Sequence, residues 1–430
     1  MSDPETDGGT AVSEEPDPEP FGGQVGDLYR TLRDHEFSVV IGSAVFLVFF
    51  PFLLVDGLEI LNDLLGDPGI GGYESLASLV LIYGIIVVGY NLLLGYTELL
   101  SFGHAAFFGT AAYATALLGS TAEITFYGLS ATMPGITSPL VMLLFGTVLA
   151  TLLAWPIGFM SIRRSGVYFA VLTLTFGQML YFFALGPGSG ITDGDNGFRD
   201  FDVGNLFGMV DLGGTLPFVG TVEYAFIAVL FLLAIAVANR IVNSPYGLIF
   251  KALGENEQRV EFVGLNVFRY KLMAFVISGA FAGLGGSLFV MHESFIHPTT
   301  ALYWIQSGDF VIMTVLGGTG SLIGPVFGAF IFEYISNVIS GATLPFIGKV
   351  GSLWRLILGA VFVIIVWVFP RGVYGGLVDI KNITVRKTVW AIRNPSQVPG
   401  AMRDWLGRVA AGLLARVRGL LARVGLGGGS

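Results

Sequence analysis

The 430-residue chain is 53% hydrophobic and only 12% charged, with a mean hydropathy of +0.75, far from the roughly one-quarter charged residues of soluble domains. This composition excludes an ordinary globular enzyme and implies an all-α polytopic membrane protein. The absence of cysteine excludes disulfides and thiolate chemistry, the 61 glycines suit close helix packing in lipid, and the formal net charge is −9.

Residues 1–20 carry seven acids and no basic residue, a pattern that suits a disordered tail and opposes a cleavable signal with its basic start. Residues 1–34 are therefore read as an acidic cytoplasmic tail. A run of about 20 apolar residues can cross a hydrocarbon core roughly 30 Å thick. In chain order such runs are Phe37–Val55, Leu76–Leu94, Leu99–Leu118, Pro139–Met160, Val167–Leu185, Val222–Val242, Leu272–Met291 and Leu353–Phe369. The apolar stretch Phe310–Ser340 is too long for one straight span and is interrupted by GGTGSLIGP, Gly317–Pro325. Glycine and proline there free backbone groups that must find partners inside protein, which predicts a short element before the break and a full one after it.

Lysine and arginine in short loops mark the cytoplasmic side. Arg30 and Arg33, Arg163 and Arg164, the stretch Arg240–Lys271, and Arg371 all fall on one side if spans alternate, while Asp56–Glu74 and the loop 186–221 are acidic. Both termini are then cytoplasmic provided the broken region crosses twice or returns to its own side. The total is ten or eight spans, with ten preferred. The membrane-embedded body is expected over residues 35–378. Beyond it, residues 379–430 are basic, and Trp405, Val409, Leu413, Val417, Leu420, Leu421 and Val424 recur at helical spacing. That pattern fits an amphipathic helix on the inner leaflet as well as a solvated tail.

The charge-dense interruption is Ser244–Leu272, in which Lys251, Arg259, Arg269 and Lys271 interleave with Glu255, Glu257 and Glu261. Its size and mixed charge suit a docking surface, although a plain hydrophilic loop would read the same way. No G-x-x-x-x-G-K-[ST] loop occurs, so ATP hydrolysis is not expected on this chain. His35, His104, His292 and His297 lack metal-ligand spacing. TDGDNGF, Thr192–Phe198, fails as a calcium loop and reads as a turn. Asn91, Ser101, His104, Thr173, Thr175 and Gln178 are polar groups in or beside spans, and either pack between helices or line a pathway. Glu333 and Arg355 lie about 13 and 9 residues on either side of the connection at Phe346. At ~1.5 Å rise they reach similar depth, which predicts an intramembrane ion pair or a functional carboxylate.

The segment SPYGLIFKALGENEQRVEFVGLNVFRYKLMAFVISGAFAGLGGSL resembles the central cytoplasmic region and following helix of ABC-type branched-chain amino acid importer permease subunits, LivM type. GYNLLLGYTELLSFGHAAFFGTAAYATALL, GVYFAVLTLTFGQML, TDGDNGF, VIMTVLGGTGSLIGPVFGA and FPRGVYGGL match the same family in the same order, over roughly Leu76–Val378. The resemblance implies a helical bundle like that of the vitamin-B12-type ABC importer permease. It also implies a LivH-like second permease, two ABC ATPase subunits carrying ATP and Mg, and an extracellular substrate-binding protein. By the same resemblance Gly254, Glu255, Asn256, Glu257 and Gly264, in the loop 244–270, would couple to the ATPase. The general ABC importer pattern places two alanines after the glutamate, whereas Gln258 and Arg259 follow Glu257 here. Import of branched-chain or related amino acids by alternating access is the function so implied. Urea or a short amide is the nearest alternative cargo. An ion-coupled secondary transporter is a different class, opposed by the scarcity of embedded ionisable residues.

Overall fold

The computed structural model describes residues 74–376, apart from 122, 127–128, 134, 165, 207, 209, 217–219, 338–342, 345–347, 350–353 and 370–371, together with Gly42, Ser43, Leu47 and Phe50. Both expected tails, and all but those four residues of the expected first span, lie outside the described residues.

Apolar runs become helices close to where the sequence places them. In chain order these are α1 (Glu74–Thr97), α2 (His104–Gly119), α3 (Pro139–Ser161), α4 (Val167–Leu185), α5 (Val222–Val242), α6 (Pro245–Glu255), α7 (Glu257–Phe262), α8 (Val267–Glu293), α9 (Trp304–Gly317), α10 (Gly324–Asn337) and α11 (Trp354–Val368). Three small antiparallel hairpins cap the loops: β1 (Glu123–Phe126) with β2 (Leu129–Thr132), β3 (Thr215–Leu216) with β4 (Gly220–Thr221), and β5 (Thr343–Leu344) with β6 (Gly348–Lys349). Among the described residues, six helices are long and apolar enough to cross a membrane. The protein is a multi-pass membrane protein.

A helix apolar on every side must be surrounded by other helices, and α1 meets this condition because the whole of its apolar window is buried. With α2 and α8 it forms the centre of the bundle, α8 packing against α1, α2 and α3. A Cβ at Gly279 or Gly283 of α8 would stand 2.6 Å from Ala154 or Ala150 of α3, so those glycines set the approach of the two helices. The periphery is α3, α4, α5 and α11, whose Leu144, Leu152, Phe182, Val229, Leu356 and Val363 point outward, as a lipid-facing surface requires.

Two boundaries differ from expectation. The span expected at Leu99–Leu118 begins only at His104, because Glu98 takes a left-handed conformation (φ 55°) and the chain runs non-helically through Gly103 inside the bundle. The broken region yields two helices of 14 residues each, α9 and α10, rather than a short and a full one. Each is about 21 Å long at ~1.5 Å per residue. Their turn lies beside the last turns of α1, where a Cβ at Gly95 would meet the Gly320 nitrogen at 2.7 Å. That end of the bundle, which also carries α6 and α7, is called the lower end below.

Candidate functional site

At the lower end the sequence builds a projecting corner. Asn256 leaves helical geometry between α6 and α7 (φ −165°), and its side-chain oxygen accepts the Arg259 N–H at 3.1 Å, capping α7. Eight residues on, Gly264 turns left-handed (φ 87°) in open space. Its N–H donates to the Glu261 carbonyl at 2.9 Å and the Leu265 N–H donates to the Val260 carbonyl at 3.3 Å, a Schellman closure that ends α7. Phe250, Leu253 and Val260 are buried beneath this corner, while Phe262 and Val263 at its tip are 88% and 78% exposed.

The corner is tied to the spans at two points. Gly254 packs so closely on the end of α1 that a Cβ there would lie 2.8 Å from the Tyr96 carbonyl, and Lys251 sits 5.6 Å from the Tyr96 ring. Glu257 forms a salt bridge with Lys271 of α8. Lys271 is itself buried, so it is an internal brace instead of one of the surface charges that the sequence pattern suggests. Glu255, Asn256 and Glu257 remain exposed.

The polar residues within the bundle separate into three groups. Ser101, His104 and Thr173 are fully buried and belong to one network at the start of α2. Nδ1 of His104 lies 3.1 Å from Ser101 Oγ and Nε2 lies 2.8 Å from Ser278 Oγ, with Tyr90 and Phe275 edge-on to the ring. The Phe102 N–H donates to Thr173 Oγ1 at 3.2 Å and the Ala105 N–H to Ser307 Oγ at 2.8 Å. A helix that begins inside a membrane protein leaves N–H groups to be satisfied; Ser307 takes that of Ala105 in the first turn, and Thr173 that of Phe102 just before it. Asn91, also buried, clamps the α9–α10 turn: it donates to the Ser321 carbonyl at 2.9 Å and accepts the Gly320 N–H at 3.1 Å.

Thr175 and Gln178 form the second group. Thr175 is exposed on the outer face of α4 and bonds only its own helix, at the Val171 carbonyl. The Gln178 amide nitrogen is buried with no hydrogen-bond partner. Around them Tyr168, Val171, Met179 and Phe182 make an exposed apolar stripe.

Glu333 and Arg355, the third group, do not pair with each other. A Glu333 oxygen accepts from Asn337 at 2.8 Å, whereas Arg355 shares a pocket with Asp309 of α9. Equal depth along the bundle does not fix rotation about a helix axis, and rotation decides which acid Arg355 meets.

Residues 72–366 match the family described as branched-chain amino acid transport system / permease component. The chain belongs to this family. This permease is 29% identical over 277 residues to the high-affinity branched-chain amino acid transport system permease protein LivM of Escherichia coli K12, covering 60% of this chain and 61% of the relative. It is 31% identical over 118 residues to the autoinducer 2 import system permease protein LsrC of Yersinia pseudotuberculosis, covering 26% and 34%. With the guanosine ABC transporter permease protein NupQ of Bacillus subtilis the identity is 25% over 150 residues, covering 33% and 46%. The chain thus spans about 61% of the length of the LivM relatives it matches. No solved structure matches.

Several polar residues that organise the permease escape a reading of its sequence. Ser278 lies in a run that reads as plain apolar helix and Ser307 just ahead of the broken apolar stretch, and only their contacts at the start of α2, to His104 and to the Ala105 N–H, explain them. At the upper end, His292 bridges Ser75 of α1 (Nε2 to Oγ, 2.7 Å) and Glu223 of α5 (Nδ1 to Oε1, 2.8 Å), joining three helix ends. Thr192–Phe198 is a left-handed turn held by the Phe198–Ile296 bridge and by His297 Nε2, 3.0 Å from the Asp195 carbonyl oxygen. Among the described residues no cluster of three His, Asp or Glu is placed to hold a metal ion.

Proposed function

We propose that this permease is the transmembrane subunit of an ATP-driven importer for branched-chain or related amino acids. In this reading α7 is the element that transmits ATPase closure to the spans. The observation that carries it is the α6–α7 corner, whose exposed Phe262–Val263 tip is fastened to α1 through Gly254 and to α8 through the Glu257–Lys271 pair. An element of this kind transmits force only if it is stiff at both ends, and the Asn256 cap and Gly264 closure make it short and rigid. Its apolar tip is suited to a cleft on a partner ATPase carrying ATP and Mg. The lower end is then cytoplasmic, as are both termini, and a second permease of LivH type and an external binding protein complete the assembly.

The exposed stripe on α4 is the proposed surface along which cargo passes, shared with the second permease. Thr175 offers a polar contact among apolar neighbours, the combination that an amino acid with a hydrocarbon side chain needs. Asn91, Ser101, His104 and Thr173 act as braces in this conformation. The breadth of the LivM match favours amino acids over the cargoes named for LsrC and NupQ, since it covers 60% of this chain against 26% and 33%.

The test is reconstitution of the permease with its partner permease, ATPases and binding protein in vesicles. ATP-dependent uptake of leucine is expected. Phe262→Asp is expected to abolish uptake and ATPase association while the permease still inserts. Uptake that proceeds without nucleotide and collapses with a proton uncoupler would refute the assignment.

A further inference from the structure

Where the lower end of α3 meets the α7–α8 corner there is a polar cavity of about 510 Å³, within the ~300–1,000 Å³ range of small-molecule sites. Arg163 and Arg164, just past α3, line one side of it, and Glu257 and Glu261 of α7 line another. Its apolar lining comes from Ile162, Leu265 and Phe268. Lys271 also lines it, but Lys271 and Glu257 neutralise each other in their salt bridge. Among the described residues none of Arg163, Arg164 and Glu261 forms a salt bridge. Arg163 lies with its guanidinium 4.6 Å from the Phe159 ring, an arrangement that leaves its N–H groups available. Asn266, which caps α8, and Val267, its first residue, also line the cavity and bring the positive end of a long helix to it.

These charges select the ligand. A simple anion, such as phosphate or an acidic lipid headgroup, would be drawn by the two arginines but would meet Glu261. A simple amine would meet the reverse. A small zwitterion satisfies both sides, its carboxylate at the guanidinium groups and the α8 N-terminus, its ammonium at Glu261. The apolar lining adds room for a hydrocarbon side chain.

We propose that this cavity binds an apolar amino acid from the side that carries α7, and that its occupation inhibits transport. The inference rests on the amino acid importer reading given above. A ligand held between Glu261 of α7 and the arginines beyond α3 adds a tie from the coupling element to α3. It therefore resists the movement by which α7 would drive the bundle, and product accumulating inside would slow further import.

The experiment uses the complete complex in vesicles preloaded with leucine, isocaproate (no ammonium), isoamylamine (no carboxylate) or buffer. External labelled leucine uptake and ATP hydrolysis are both recorded. For each variant the readout is the ratio of rates with and without internal ligand. Internal leucine is expected to lower both rates and the two analogues to leave them unchanged. Glu261→Gln or the pair Arg163→Gln, Arg164→Gln is expected to raise the half-inhibiting leucine concentration by about tenfold or more. Leucine uptake that is indifferent to internal leucine overturns this inference and leaves the importer reading standing. ATP hydrolysis without leucine uptake overturns the importer reading, and the effect of internal leucine on hydrolysis then judges the cavity separately. Equal inhibition by isocaproate, or a leucine effect that persists in both variants, shows that no zwitterion is recognised here and overturns the inference.

Discussion

Single polar side chains carry disproportionate weight in this permease because lipid offers them no alternative partners. Asn91 satisfies one donor and one acceptor of the α9–α10 turn, so Asn91→Ala strands both backbone groups and is expected to cost about 1–3 kcal/mol. Ser278→Ala strands one side of the His104 ring and is expected to cost a similar amount, or less if the ring turns to a new partner. Thermal unfolding midpoints of the detergent-solubilised variants check both, and an unshifted midpoint for Asn91→Ala would show that water or another side chain serves the turn. Asn91, Ser101, His104 and Thr173 are recognisable from sequence as costly groups, yet sequence does not tell braces from pathway residues. The distinction depends on Ser278, which meets His104, and Gly320, which meets Asn91, both more than 100 residues away in the chain. For Glu333 and Arg355 the sequence gives depth alone, and Asp309, on a third element, decides the arrangement.

Element boundaries are legible where a physical stop coincides with the end of an apolar run. Pro139 at the start of α3 and Gly186 after α4 are such stops, and both helices begin or end there. The start of α2 was hidden because Leu99, Leu100 and Phe102 continue the apolar pattern while the backbone turns at Glu98. In α8 the small-residue spacing is also legible, and its consequence is severe: Gly283→Leu would drive a side chain into Ala150 and Thr147 of α3. Overpacking typically costs about 1–3 kcal/mol, and here α8 also contacts α1 and α2, so loss of monodisperse protein on size-exclusion chromatography is expected. The α7 brace makes an asymmetric prediction. Glu257→Gln leaves Lys271 buried and unpaired (side-chain exposure 5%, against 47% for the glutamate). Lys271→Met removes the buried charge and leaves only an exposed carboxylate. Glu257→Gln should therefore lower stability more than Lys271→Met, and the double variant should recover most of the difference. Strictly additive losses in thermal unfolding would show that the pair contributes nothing.

At the scale of the whole molecule the disposition of α9 and α10 determines how many times the chain crosses the membrane. The turn between them lies beside Asn91 and Gly95, in the last turns of α1. Gly318 in that turn is in close contact with Gly372, beyond the lower end of α11. Near the start of α9, Gln306 donates at 3.3 Å to Tyr83, nine residues in from the upper start of α1, so both helices lie alongside the lower two-thirds of α1, and two passes are expected of the pair. The chain contains no cysteine, so single cysteines report sidedness without a background. Ser75, Phe262 and Thr319 are all exposed and occupy the upper end of α1, the tip of the α7 corner and the α9–α10 turn. A membrane-impermeant maleimide added outside sealed cells should label Ser75→Cys and leave Phe262→Cys and Thr319→Cys unmodified. Inverted vesicles should give the opposite pattern. Labelling of Thr319→Cys together with Ser75→Cys would mean that α9 and α10 only dip into the bilayer from the outer side, and the count would fall from ten spans to eight. If all three positions react from the same side, the α7 corner is not opposite Ser75 and cannot face a cytoplasmic ATPase.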